Sequence, residues 1–112
     1  MTSWSLVFYV DVRGRSPVVE FIESLPLAAQ GAVYHDLDLL VQFGLTLGMP
    51  YARWIDGVWE LRSGPNRVFY VAYAGRRFLL LHGYQKKGQK APPREIEAAK
   101  RRLADFVQRD KD

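Results

Sequence analysis

The sequence predicts a single α+β domain over residues 1–112, in which a small antiparallel sheet is covered by helices. Three observations favour this class. Runs of β-branched and aromatic residues are joined by connectors short enough only for hairpins, apolar residues elsewhere recur at helical spacing, and 112 residues is the size of one domain. The predicted element order is β-α-α-β-β-β-α.

The N-terminal part predicts one strand and a helical hairpin. Residues 4–10 are aromatic or β-branched at most positions, which is typical of a strand. Ser16 and Pro17 supply a helix cap and a first helical residue, and Pro26 starts a second helix that ends near Gly44. Both helices carry apolar residues at helical spacing, namely Val18, Phe21, Ile22 and Leu25, then Val33, Leu37, Leu40 and Val41.

The C-terminal part predicts a three-strand meander and a final helix. Glycine and proline interrupt residues 45–56, which we interpret as a loop, and strand-like runs follow at 57–63, 67–73 and 77–84. The last two runs are apolar at nearly every position, so both faces of the sheet must be covered. We expect the helical hairpin on one face. On the other we expect a helix that follows Pro92 and Pro93 and presents Ile96, Ala99, Leu103 and Phe106.

Composition excludes several kinds of protein. The chain has no cysteine, which removes disulfides, thiolate metal sites and a cysteine nucleophile. Two distant histidines and scattered carboxylates give no metal-ligand spacing, and no glycine-rich phosphate loop is present. Residues 1–4 lack the basic flank and long apolar stretch that are typical of a signal peptide, and no run approaches about 20 apolar residues, so we expect neither a signal peptide nor a membrane span. We therefore expect a cytoplasmic protein that uses no metal, cofactor or membrane.

Charge is distributed unevenly along the chain. Residues 1–61 carry three Arg or Lys against seven Asp or Glu, whereas residues 62–112 carry thirteen basic side chains against five acidic ones. A dense positive field attracts polyanions, so nucleic acid is the first candidate partner. A surface that merely keeps the protein soluble is the alternative.

Polar residues collect where the predicted strands end. Residues two apart share a face of a strand, so His82, Tyr84 and Lys86 should project together. Cations there would hold a phosphodiester and its pentacoordinate transition state, and we assign this role to Arg62, Arg67, Lys86 and Lys87. Cleavage by the 2′-hydroxyl of RNA also needs a base and an acid, for which His82 and Tyr84 are candidates.

Each candidate also has a structural interpretation. Arg62 and Arg67 flank a hairpin turn, where we expect them to face solvent, and they could be turn charges or partners of Glu60. Residues 86–90 could form a flexible surface loop. A lone histidine such as His82 on an apolar strand is often a hydrogen-bonded structural residue.

Four segments together resemble a known group of proteins. They read VWELR at 58–62, RVFY at 67–70, LLLHGYQKKGQKAP at 79–92 and REIEAA at 94–99. This combination resembles the phage-derived, HigB-like branch of the RelE/ParE toxin superfamily, with its pattern W-E-L-R, R-x-x-Y, L-L-H-x-F-x-K-K-x-x-K-x-P and E-I-x-x-A. The Lys-Lys segment before Pro and Glu-Ile is the most specific part. Tyr84 departs from the pattern, where phenylalanine is common, and so does Gly88, where a polar residue is usual.

The resemblance implies a RelE-like fold and the toxin of a type II toxin–antitoxin system. Such a toxin cleaves mRNA on the ribosome without metal or cofactor, and an antitoxin, here expected to be a small helix-turn-helix protein, neutralises it. Arg62, Arg67, Lys86 and Lys87 match the basic cleft of the family. The further basic residues that we expect to bind RNA are Arg76, Arg77, Lys90 and Arg94.

The superfamily holds a second functional class on the same fold. A ParE-like toxin inhibits DNA gyrase by occupying a protein surface and needs no catalytic cleft, so the fold alone does not decide between the classes. The cluster of Arg62, Arg67 and Lys86 with His82 and Tyr84 favours RNA cleavage. A third alternative is a module that has lost toxicity and only binds its partner.

Overall fold

The computed structural model describes residues 3–111, which form a five-stranded sheet with helices on both faces. The order of the strands across the sheet is β1-β5-β4-β3-β2. The elements are β1 (Ser5–Phe8), α1 (Pro17–Glu23), α2 (Leu27–Phe43), a 3₁₀ turn (Gly44–Thr46), β2 (Ala52–Ile55), β3 (Val58–Ser63), β4 (Asn66–Tyr73), β5 (Arg77–Gln85) and α3 (Pro93–Asp110).

The sheet corrects the sequence prediction in two respects. It is mixed rather than purely antiparallel, because β1 runs parallel to β5, with Ser5 opposite Arg77. It also has a fifth strand, β2, inside the segment predicted as loop. β2 pairs antiparallel with β3 across Asp56 and Gly57, whose φ angles of 43° and 94° fit the Asp-Gly hairpin turn. The three-strand meander of β3, β4 and β5 is confirmed.

The helical hairpin is also confirmed, and single residues determine where α1 begins and where α2 ends. The Ser16 hydroxyl caps α1 by accepting the backbone N–H of Val19 at 3.3 Å. α2 ends at Phe43, and the residue that caps it, Gly44, has a φ of 58° and lies so close to Trp4 that a Cβ atom would overlap the indole ring. A glycine is therefore needed there, because it adopts the positive φ angle without strain and has no Cβ atom to overlap Trp4.

Both faces of the sheet are covered, as the apolar strands predicted. α1 and α2 bury their stripes on one face, where the fully or nearly fully buried residues include Val18, Ile22, Val33, Leu37, Leu40, Leu61, Val68 and Leu80. α3 covers the other face, in a cluster that includes Val58, Phe69, Leu79, Leu81, Ile96 and Ala99. Each fully buried apolar side chain contributes about 1.5–3 kcal/mol, so these two layers fix the sheet between the helices.

A β-bulge in β5 decides which way the polar end of that strand faces. Phe69 pairs with His82 but Tyr70 pairs with Leu80, so Leu81 is an extra residue. The bulge lets His82 follow Leu81 onto the face that α3 covers. Gly83 then turns to the opposite face, where a Cβ atom would overlap the ring of Phe21 in α1.

Within residues 3–111, no helix is long and apolar enough to cross a membrane.

Candidate functional site

The register of the sheet brings most of the predicted site residues to one end. Arg67 of β4 lies opposite Arg62 of β3 on one side and opposite Tyr84 of β5 on the other. The backbone N–H of Lys86 donates to the Pro65 carbonyl at 2.8 Å, which holds the segment after β5 against the β3–β4 turn. The basic residues that follow β5 are therefore adjacent to the β3–β4 hairpin.

Arg67 is buried, so the expectation that it faces solvent at a strand end is wrong. Its side chain is 7% exposed, and its Nε lies 3.7 Å from Oε1 of Glu60, which is fully buried. Its Nη1 donates to the carbonyl oxygens of Gly64 and Asn66. The sequence suggested a Glu60 partner as an alternative for Arg67, and this contact is what the structure shows.

Tyr84 completes this buried group. Its hydroxyl donates to Oε2 of Glu60 at 3.1 Å, and the residue as a whole is 6% exposed. Burial, reinforced by the negative charge of Glu60, raises the pKa of Tyr84, and burial lowers the pKa of Arg67 although Glu60 opposes the shift. Tyr84 therefore stays a protonated phenol at neutral pH. We call Glu60, Arg67 and Tyr84 the buried triad.

Arg62 lies at the edge of a separate pocket. This pocket of about 330 Å³ is lined by Asp36, Pro50, Tyr51, Arg62, Gly64 and Arg67. Arg62 is half-buried, and its Nη1 lies 3.6 Å from Sδ of Met49. Arg62 and Arg67 are thus neighbours, as predicted, but only Arg62 is open to solvent.

His82 connects β5 to α3 through both ring nitrogens. Nε2 lies 2.7 Å from Oε1 of Glu95, and Nδ1 lies 2.5 Å from Nη1 of Arg102. The side chain of His82 is 13% exposed, and burial lowers its pKa, an effect that Arg102 increases and Glu95 opposes. The structural interpretation of a hydrogen-bonded histidine therefore agrees with the geometry, and its role as base or acid stays a prediction.

A second, larger pocket lies beside the end of β5. It has a volume of about 470 Å³, within the range of ligand pockets, and we call it the β5 pocket. Three of the predicted basic residues line it together with Tyr84, and the full lining is Phe21, Tyr84, Gln85, Lys87, Gly88, Lys90, Pro92, Arg94 and Glu95. Lys87, Lys90 and Arg94 are exposed. Lys86, which precedes Lys87, is half-buried.

Arg76 and Arg77 do not join this group. Arg77 is the first residue of β5 and Arg76 precedes it, and the nine residues of β5 span roughly 26 Å, whereas the β5 pocket lies at the other end of the strand. Arg77 donates from Nε to the Ala74 carbonyl at 2.7 Å, and its guanidinium lies 4.6 Å from the centre of the Tyr73 ring. If these two arginines bind RNA, they contact a part of it that is distant from the pocket.

Three side chains that shape this region were not among the site residues predicted from the sequence. Glu60 forms the centre of the buried triad, Glu95 lines the β5 pocket, and Arg102 holds His82. Glu95 carried one usable signal, since an acidic residue two positions after Pro93 is typical of a first helical turn. Within residues 3–111, no group of three or more His, Asp or Glu side chains could hold a metal ion.

These features define a small mixed α+β protein with a cationic pocket at one end of its sheet. A family model described as phage-derived protein Gp49-like (DUF891) matches residues 20–104, which is more than half of the chain. The chain therefore belongs to the Gp49-like family, a toxin-like family related to the RelE/HigB type. No curated protein matches the chain.

Proposed function

We propose that this protein is the toxin of a type II toxin–antitoxin system and acts as an mRNA endoribonuclease on the ribosome. Membership of the Gp49-like family supports a toxin. The observation that carries the choice of RNA as substrate is the β5 pocket, where Lys87, Lys90 and Arg94 line one cavity. Ribosome-bound mRNA would place the activity in the cytoplasm.

Among the described residues, some basic side chains outside the pocket have a carboxylate partner, whereas of the three pocket cations only Arg94 has one, Glu95 at 4.0 Å. Arg67 faces Glu60, Lys100 lies 3.2 Å from Asp56, and Arg109 lies 2.7 Å from Asp105. Within the described part of the chain, neither Lys87 nor Lys90 lies within 4.0 Å of a carboxylate oxygen. Their charges are therefore available to RNA phosphates.

Cations in this arrangement suit the cleavage of RNA by its own 2′-hydroxyl. Attack of that oxygen on phosphorus gives a pentacoordinate transition state with additional negative charge on its oxygens. Ammonium and guanidinium groups already in place stabilise that charge, and one such contact contributes about 10²–10³ to the rate. We assign this role first to Lys87, Lys90 and Arg94, and then to Lys86, which precedes Lys87, and to Arg62 of the separate pocket.

Partner binding follows from the same surface in this proposal. The exposed cations attract ribosomal RNA and mRNA during encounter. An antitoxin, which we expect to be a small helix-turn-helix protein, would neutralise the toxin by covering the pocket. Co-expression with that antitoxin should remove toxicity.

Cleavage of mRNA on programmed ribosomes tests the activity. We expect fragments with the wild-type protein, and a rate at least about 10² lower with the double variant Lys87→Ala/Lys90→Ala. Lys111→Ala is the control, because it removes the same type of charge from the C-terminal end of α3. If induction in cells gives filamentation and a DNA damage response without mRNA fragments, the protein is a gyrase inhibitor instead.

Salt dependence tests the contacts with phosphate. Each phosphate contact to single-stranded nucleic acid contributes about 0.7 to the slope of log affinity against log salt. Removing Lys87 and Lys90 should therefore reduce the slope by about 1.4, whereas Lys111→Ala should leave it unchanged. Equal slopes for the wild type and the double variant would place the RNA elsewhere on the protein.

A further inference from the structure

One carboxylate lies among the cations of the β5 pocket. Of the described residues that line it, only Glu95 carries a carboxylate. Glu95 is the third residue of α3, and its side chain is 20% exposed, so it is held in place while remaining open to the pocket. Its Oε2 lies 4.0 Å from Nε of the exposed Arg94.

The hydrogen bonds behind Glu95 have only one consistent direction. An arginine guanidinium can only donate, so Nδ1 of His82 accepts from Arg102. The proton of the neutral imidazole is then on Nε2, which donates to Oε1 of Glu95 at 2.7 Å. Arg102 also donates to the Leu81 carbonyl at 3.1 Å, which fixes it to β5. One oxygen of Glu95 is thereby fixed, and the other retains its lone pairs.

The two residues first considered for proton transfer are less suited to accept a proton. Both ring nitrogens of His82 are engaged, and protonating Nδ1 would break the bond from Arg102. The phenol of Tyr84 donates to Glu60 and is buried. A general base needs a free lone pair within reach of the proton that it removes, and Glu95 provides one in the pocket.

We propose that Glu95 is the general base of the RNA cleavage reaction, and that His82 and Arg102 are positioning residues that hold its carboxylate. This inference rests on the proposed function. Oε2 of Glu95 takes the proton of the 2′-hydroxyl as the 2′-oxygen bonds to phosphorus. The bond from phosphorus to the 5′-oxygen breaks, water protonates the leaving 5′-oxygen, and a 2′,3′-cyclic phosphate and a 5′-hydroxyl result. Glu95 then returns its proton to water.

The test is the single-turnover cleavage rate of Glu95→Gln on programmed ribosomes, with RNA binding and thermal melting measured in parallel. The amide oxygen of glutamine still accepts from His82, so the fold should be retained. Cleavage should fall by about 10²–10⁴, the usual contribution of general acid–base catalysis, while binding stays equal or becomes tighter. Glu97→Gln is the matched control, because it removes the same charge from an exposed position of the same helix.

The positioning role has its own readout. His82→Ala removes the donor to Glu95 and should lower the cleavage rate constant of bound RNA without changing RNA affinity. His82→Gln keeps a side-chain N–H and should restore part of that rate. If both variants lose cleavage in proportion to their loss of thermal stability, His82 is a structural residue and the positioning role is overturned.

The outcomes separate this inference from the proposed function. A Glu95→Gln protein that cleaves at the wild-type rate overturns the general base and leaves the ribonuclease standing. Loss of RNA binding in parallel with cleavage also overturns it, because Glu95 would then support the pocket rather than the reaction. A wild-type protein that yields no fragments overturns the proposed function itself.

Discussion

Removing Arg67 should destabilise the protein strongly, because it leaves a buried charge without its partner. Arg67→Met keeps most of the side-chain volume but deletes the guanidinium 3.7 Å from the fully buried Glu60. It also deletes the donor to the Gly64 and Asn66 carbonyls. Breaking a buried ion pair from one side costs about 3–5 kcal/mol. Since the unfolding free energy of a domain is about 5–15 kcal/mol, this is a large share of it.

Thermal melting followed by circular dichroism measures the effect. For a chain of this length 1 kcal/mol corresponds to about 4 °C, so the melting temperature should fall by about 12–20 °C. Arg62→Met is the matched control, because Arg62 is half-buried without a buried carboxylate partner. It should change stability by about 0.5 kcal/mol or less. A shift of Arg67→Met below about 2 °C would refute the reasoning.

Two further predictions concern pH and packing. Burial lowers the pKa of His82 below 6.5 in the folded protein, so the unfolded chain binds this proton more readily. The unfolding free energy should therefore decrease as pH falls through 6.5, by up to about 1.4 kcal/mol per pH unit, and His82→Gln should flatten that slope in urea titrations. Equal slopes for the wild type and His82→Gln would contradict this prediction. Gly83→Ala should lower stability by about 1–3 kcal/mol, since the new Cβ atom overlaps Phe21. Gly31→Ala, in an open part of α2, should instead raise stability by about 0.5–1 kcal/mol. Melting temperatures that change in the opposite directions would contradict the close packing of Gly83 against Phe21.

Elements that depend only on neighbouring residues in the chain were predicted from the sequence. The apolar residues of α2 and α3 recur at helical spacing, and the hairpin connectors are only a few residues long, so both could be recognised without knowing which element packs against them. The direction of β1 could not, because it depends on β5, which lies some seventy residues away. β2 has only four residues and follows a glycine and a proline, so propensity was weak there. Its Asp-Gly turn was the signal that could have revealed it.

The sequence predicted that residues of the candidate site are neighbours, but not how deeply each of them is buried. The two-residue period of a strand correctly placed His82 beside Tyr84, and their rings lie 6.1 Å apart in a stacked arrangement. The same period says nothing about depth, which depends on α3 and on the cross-strand neighbour. Arg67 is therefore buried against Glu60, while Lys87, in the segment after β5, remains free.

The buried triad also complicates any activity screen of this site, because Tyr84 belongs to the triad and lines the β5 pocket. A substitution at Arg67 frees the Glu60 charge and can shift Tyr84, so a loss of cleavage would suggest a catalytic arginine even if Arg67 never contacts RNA. The double variant Arg67→Met/Glu60→Gln separates the two cases. It removes the unpaired buried charge and keeps an oxygen that accepts from Tyr84, so it should melt well above Arg67→Met alone. If cleavage recovers along with stability, Arg67 acts through the fold. If stability recovers and cleavage stays at least about 10² below wild type, its guanidinium is needed for the reaction itself.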